Sequence, residues 1–303
     1  MSAKSEAHRG RVLRSVGGAY TVEVGGEPWE CSLRGRIKLD KSIGRVAVGD
    51  VVEVAELADG SRVISGVLPR TNRISRRRAG GRREQVIAAN ADRLAAVFSI
   101  TRPEPVFSLL DRFLVLAEAN GIPSLVVVNK IDLSGEGEAR RDFGVYEEIG
   151  YEVIYTSAKT GAAIGALGQC LAGRVTLLVG PSGAGKSSLL NALQPGLGLR
   201  VGELSRVLQR GRHTTVAACA HPLDIGGYVV DTPGLGTLQF AEVGDRSLED
   251  CFPEFRPYLE RCKFDDCTHV HEPECSLREA LARGDIPDRR YESYVKILGE
   301  RDA

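Results

Sequence analysis

Residues 180–187 read GPSGAGKS, and this stretch restricts the fold more tightly than any other. It fits the pattern G-x-x-x-x-G-K-[ST]. In that pattern glycines let the backbone wrap phosphates, and the loop N–H groups and the following helix N-terminus bind anionic oxygens. Such a loop requires a strand before it and a helix after it, and the runs VTLLVG and KSSLLNALQ supply them. Gly180, Pro181, Ser182, Gly183, Ala184, Gly185, Lys186, Ser187 and Ser188 are therefore the expected phosphate-binding set. Lys186 is expected to reach the β- and γ-phosphates, and the Ser187 hydroxyl to ligate Mg²⁺.

The companions of this loop stand in an unusual order. NKID at 129–132 ends the apolar run SLVVV, about fifty residues before the phosphate loop instead of after it. TSAK at 156–159 ends the run YEVIY, and VVDTPG at 229–234 ends another. Asn129, Lys130, Asp132, Ser157, Ala158 and Lys159 would read a base, while Asp231 and Gly234 would sense the γ-phosphate. The order base, base, phosphate, switch, switch is that of a circularly permuted domain. Strand adjacency in a sheet does not require sequence adjacency, and new termini are tolerated at the surface.

The base-reading residues favour guanine. Asp132 can accept from N1–H and the 2-amino group, Asn129 addresses N7 and O6, the Lys130 stem lies along the ring, and the Ala158 N–H meets O6. Adenine lacks the 2-amino group and would leave a buried carboxylate without partners, a cost of several kcal/mol. The expected ligands are GTP and GDP.

Around this core the chain changes character three times. Residues 10–69 hold five short β-rich runs separated by glycine-rich turns, which suggests a small barrel of OB type over 1–69. Residues 70–85 carry seven arginines between Arg70 and Arg83 and no acid before Glu84. Such a block repels itself, and neither helix nor strand is expected there, only a mobile linker. From 86 to 244 buried strands alternate with helical stretches, the signature of a doubly wound α/β domain. Residues 245–303 are Cys/His-rich and then helical. Residues 1–85 carry 17 Lys/Arg against 10 Asp/Glu, a net of +7 that suits a polyanionic partner. The polar start MSAKSEAHRG and the lack of a long apolar run point to a cytoplasmic protein without a membrane span.

Cys262, Cys267, His269 and Cys275 fall within fourteen residues. Three thiolates and an imidazole make the Cys3His set of closed structural zinc sites, so one Zn²⁺ is expected. His271 is a substitute ligand by type, but two residues beyond His269 it reads better as a surface neighbour. Cys31, Cys170, Cys219 and Cys251 read as small apolar residues.

The permuted order, with VNKID, TSAKTG, GPSGAGKSSLLN, GRHTT, DTPG and the cysteine cluster, resembles the RsgA (YjeQ) family of small-ribosomal-subunit assembly GTPases. AANADRL at 88–94 and RRYESYVKIL near the end are similar too. The resemblance implies an N-terminal OB domain, a permuted G domain, a C-terminal zinc domain, and GTP hydrolysis stimulated by the 30S subunit and its rRNA. A monomer is expected. GRHTT continues with Val216, where the family often has a third threonine, so either Thr214 or Thr215 is the switch Mg²⁺ ligand.

Many GTPases orient water with a Gln after Asp-x-x-Gly, but here that position is Leu235. A leucine cannot polarise water, so a low intrinsic rate is expected. His213 is the candidate to position or deprotonate water, by chemistry and by the resemblance; an RNA contact is its other reading. Two further functions fit the motifs: assembly of the large subunit, or RNA binding with GTP used only to set shape.

Overall fold

The structure is a computed structural model that describes residues 7–35, 45–77, 84–199, 218–232 and 246–301. Its first five strands are β1 (Ala7–Val16), β2 (Ala19–Val24), β3 (Glu27–Leu33), β4 (Val51–Glu56) and β5 (Arg62–Val67). Neighbours pair as β1–β2, β2–β3, β3–β5, β5–β4 and β4–β1, which closes a barrel of OB-type order with β3–β5 parallel. Period-two alternation sends Val12, Val22, Val52, Val54 and Ile64 inward, all with no exposed surface. The barrel read from the sequence is present.

The expected linker is not structureless. β6 (Arg73–Arg77) pairs antiparallel with β7 (Glu84–Ala89). Charge counting missed Ile74, which alternates with the arginines and is 1% exposed in the core of the next domain, together with Ala88. The root of this ribbon is held on both sides. Arg70 makes two 2.7 Å bonds to the fully buried Asp50 of the barrel. Asn72 exchanges side-chain bonds with the Ala91 backbone at 2.8 and 2.9 Å. Burial of one apolar residue and satisfaction of the backbone outweigh arginine repulsion here. Arg78 lies outside the described residues.

The α/β domain follows as β8 (Arg93–Ser99), α1 (Phe107–Ala119), β9 (Ser124–Asn129), α2 (Glu136–Ile149), β10 (Glu152–Tyr155), α3 (Ile164–Leu171), β11 (Arg174–Val179), α4 (Lys186–Leu193), β12 (Cys219–Pro222) and β13 (Gly227–Asp231). Its strand order is β10-β9-β8-β11-β13-β12, parallel except for β12. Helices cover both faces, so the strands read as unbroken apolar runs; Leu125, Val126, Val127 and Val128 are all fully buried. β11, which carries the phosphate loop, lies between β8 and β13. β9, which ends in the NKID motif, is one place further out although it comes earlier in the chain. Spatial order is therefore kept where sequence order is rotated. β12 also bonds to β1 at Arg14–Cys219, and the sheet continues into the barrel.

The C-terminal segment carries α5 (Ser276–Arg283) and α6 (Asp288–Arg301). Leu248, Phe252, Phe255, Leu277, Tyr294 and Ile297 share one buried cluster with Val115 and Ala119 of α1. Beside it Arg290, with no exposed side-chain surface, donates to Asp111 Oδ1 at 2.7 Å and to Glu254 Oε1 at 2.6 Å. Tyr146 donates to the same Asp111 oxygen at 2.8 Å, and Ser293 to the other. The segment is thus seated on α1 by apolar burial and by a buried charge network whose members are hydrogen-bonded.

Candidate functional site

Three loops meet at Asn129, the last residue of β9. Its Nδ2 donates to Ala184 O in the phosphate loop at 2.9 Å, and its Oδ1 accepts from the Ala158 N–H at 3.2 Å. The side chain is consumed as a tie between loops, which agrees with its 1% exposure. Asp132 is set by the next loop: Ser157 Oγ donates to its Oδ1 at 2.6 Å, and Lys159 Nζ stands 3.8 Å from Oδ2. Asn129, Lys130, Asp132, Leu133, Ala158, Lys159, Gly185 and Ser188 line a cavity of about 290 Å³. Apart from Leu133, every lining residue was read from the sequence. Leu133 carries no motif signal, but its position one residue past Asp132 places it at the rim.

Sterics dictate the phosphate loop. Gly180 has φ +137, and a Cβ there would stand 2.0 Å from the Val97 carbonyl oxygen of β8. Gly185 has φ +97, and a Cβ there would stand 2.2 Å from Asn129 Nδ2. Only glycine permits either approach. Ala184, Lys186 and Ser187 are buried, whereas Ser182 and Gly183 face outward. Lys186 Nζ donates to Gly180 O at 2.7 Å and Pro181 O at 2.9 Å, so the ammonium lies inside the curl of the loop.

Asp231 ends β13 next to β11, 7% exposed. Burial pushes its carboxyl up to about 6, against the pull of the Lys186 ammonium. Burial in turn lowers Lys186, with Asp231 opposing. Lys186, Ser187 and Asp231 are all buried here; the Asp231 carboxylate and the Ser187 hydroxyl are the oxygen ligands that suit a hard divalent cation, and the Lys186 ammonium suits phosphate oxygens. His213, Thr214, Thr215 and Gly234 lie outside the described residues.

A second cluster forms in the C-terminal segment. The ligand atoms of Cys262, Cys267, His269 and Cys275 all lie within 4.8 Å of one another. Cys262 Sγ is 3.4 Å and Cys275 Sγ 3.5 Å from His269 Nδ1, and the two sulfurs are 3.9 Å apart. A tetrahedral zinc with ordinary Zn–S and Zn–N lengths has edges of about 3.8 Å between sulfurs and about 3.5 Å from sulfur to nitrogen. The cluster is compatible with zinc. His269 is held at φ +62 by its neighbours: Tyr291 OH donates to its carbonyl, and Tyr294 OH to that of Thr268, each at 2.8 Å. The His271 side chain is 81% exposed and belongs to the surface.

The family model described as RsgA GTPase matches residues 67–241, and that of the RsgA N-terminal domain matches residues 9–64. The chain belongs to the RsgA GTPase family. Its chemistry is GTP hydrolysis and its ligand a guanine nucleotide. The Small ribosomal subunit biogenesis GTPase RsgA of Gemmatimonas aurantiaca is 44% identical over 296 residues, 96% of each chain. The crystal structure of YjeQ from Thermotoga maritima aligns with TM-score 0.78 at 38% identity, covering 98% of this chain and 99% of that one. YloQ, described as a circularly permuted GTPase, aligns with TM-score 0.75 at 29% identity, covering 100% and 98%. The permutation read from motif order is thus matched in solved structures.

Proposed function

We propose that this chain is a GTPase that assists maturation of the small ribosomal subunit in the cytoplasm, hydrolysing GTP when it engages the particle. The observation that carries the nucleotide half is the Asn129 junction, which ties the phosphate loop to the loop whose Ser157 holds Asp132, around one cavity. Asp132 accepts from guanine, Lys130 lies along the ring, and O6 shares the Ala158 N–H with Asn129 Oδ1. Residues 180–188 cradle the phosphates, with Lys186 at the β- and γ-groups. Ser187 and one of Thr214 and Thr215 hold Mg²⁺, which when bound neutralises charge on the phosphate oxygens. Asp231 and Gly234 register the γ-phosphate. With Leu235 unable to polarise water, His213 positions it, and a low basal rate follows.

On this reading the chain divides into a barrel (1–69), an arginine-rich linker (70–85), the permuted domain (86–244) and a zinc domain (245–303). The matched relative's name supplies the small-subunit role. The basic front and the ribbon, rooted in both the barrel and the α/β core, suit rRNA phosphates. Cys262, Cys267, His269 and Cys275 hold a structural zinc. The protein acts as a monomer, and no helix among the described residues is long and apolar enough to cross a membrane.

Co-sedimentation with small subunits tests this reading. The wild type should pellet with the particle in the presence of a non-hydrolysable GTP analogue. Replacing Arg76, Arg77 and Arg78 should weaken pelleting and flatten its salt dependence. Equal pelleting with large subunits, or a salt slope unchanged by the three replacements, would count against it.

A further inference from the structure

The segment between β8 and α1 runs as a strap between the NKID loop and the phosphate loop. Ile100 N–H donates to Asn129 O at 3.0 Å, and Ser99 Oγ to Pro103 O at 2.8 Å. Lys130 Nζ donates to Arg102 O. The Pro103 ring rests on the phosphate loop, where a Cβ added to Gly183 would stand 3.3 Å from its Cδ. The strap is therefore tied to the base-reading loop on one side and to the phosphate loop on the other.

Arg102 occupies the middle of this strap. Its φ is +51, a region that non-glycine residues populate only where their surroundings impose it. Its side chain is exposed and has no hydrogen bond, ion pair or ring contact with any described residue. The other cations around the pocket are engaged: Lys186 with loop carbonyls, Lys130 with the strap, and Lys159 beside Asp132. Between a base seated against Lys130 and a β-phosphate seated in the loop run the ribose and the α-phosphate. Arg102 is bonded to Lys130 at one end of that interval, and Pro103 lies against Gly183 of the phosphate loop at the other.

We propose that Arg102 binds the α-phosphate of the bound guanosine nucleotide, from the open side of the pocket. The inference rests on the nucleotide reading above and extends it to a residue outside the sequence motifs. A planar guanidinium with several fixed N–H donors suits a phosphate that the loop's own N–H groups enclose from one side only. It also adds one positive charge where the nucleotide carries its first negative one.

Calorimetric titration of the full chain with GDP, GMP and guanosine tests this. Arg102→Ala and Arg102→Gly should each weaken GDP and GMP by about tenfold, the usual scale of a partly exposed charge-assisted bond. Guanosine, which has no phosphate, should bind within about twofold of wild type in both variants. Arg102→Gly keeps the backbone conformation accessible, so a loss in Arg102→Ala alone would trace the effect to the backbone and overturn the proposal. An equal loss for guanosine, or no loss for GDP, would overturn it too. Failure of the wild type to bind GDP would instead sink the nucleotide reading itself.

Discussion

Asn129 Nδ2 donates to Ala184 O across 2.9 Å, between residues 55 positions apart, and this bond joins the NKID loop to the GPSGAGKS loop. The other end of the same amide accepts from the Ala158 N–H, so one side chain sets the spacing of three loops. Rotation of the sequence order leaves that junction untouched, because β8 and β11 remain neighbours in the sheet with β9 beside β8.

Base selectivity should reside on Asp132, which Ser157 holds beside this junction. Asp132→Asn is expected to weaken GDP by more than about tenfold while raising affinity for xanthosine diphosphate, because xanthine offers a carbonyl where guanine has an amine. Competition binding with the two nucleotides checks this. An unchanged preference for guanine would remove Asp132 from the base site.

The two close glycines should fail differently. Gly180→Ala meets a backbone carbonyl that cannot step aside, so it should cost about 3 kcal/mol or more of stability. Gly185→Ala meets the Asn129 amide, which can swing away but then releases Ala184 and Ala158. That variant should stay folded and lose nucleotide affinity by more than about tenfold, if a charge-free hydrogen-bond tie is worth its usual 1 kcal/mol or so at each end. Thermal unfolding and GDP titration of the two variants separate the outcomes.

Removing Arg290 would strand Asp111 and Glu254 in the interior. Arg290→Met is expected to destabilise the protein by about 3–5 kcal/mol, the usual cost of an uncompensated buried charge. Arg140→Ala, which breaks exposed pairs with Glu136 and Glu147 and a stack on the Tyr155 ring, should move the melting temperature far less. Similar melting shifts for the two variants would show that the buried network does not hold the C-terminal segment on α1.

Freshly purified protein should contain about one zinc per chain, and Cys267→Ala should lose it and open the C-terminal segment to protease. Elemental analysis and limited proteolysis check both parts. A zinc-free wild type with an intact C-terminal segment would contradict the assignment.

Much of this was legible because local sequence and local structure agree. The barrel strands alternate, the α/β strands are unbroken apolar runs, and NKID, TSAK, GPSGAGKS and DTPG each stand at the end of a strand. Cys262, Cys267, His269 and Cys275 lie so close in sequence that the chain has little freedom to separate them. The rest depends on partners far along the chain. Ile74 is one apolar residue among arginines, and only the pairing of β6 with β7 shows where it goes. Asp111 reads as the polar face of an amphipathic helix until Arg290, 179 positions later, is placed against it. Arg102 lies in a loop with no motif of its own, and its position follows from contacts to Asn129, Lys130 and Gly183, which the chain supplies later.

The central claim is that this is a GTPase whose turnover is controlled by the small ribosomal subunit. Single-turnover hydrolysis of GTP, measured with and without purified small subunits, tests it most directly. The expected result is slow hydrolysis alone, because Leu235 cannot orient water, and acceleration of at least about a hundredfold with small but not large subunits, within the range that a supplied catalytic group provides. His213→Ala should abolish that acceleration while leaving GDP affinity intact. A rate that is the same with and without small subunits would contradict the account.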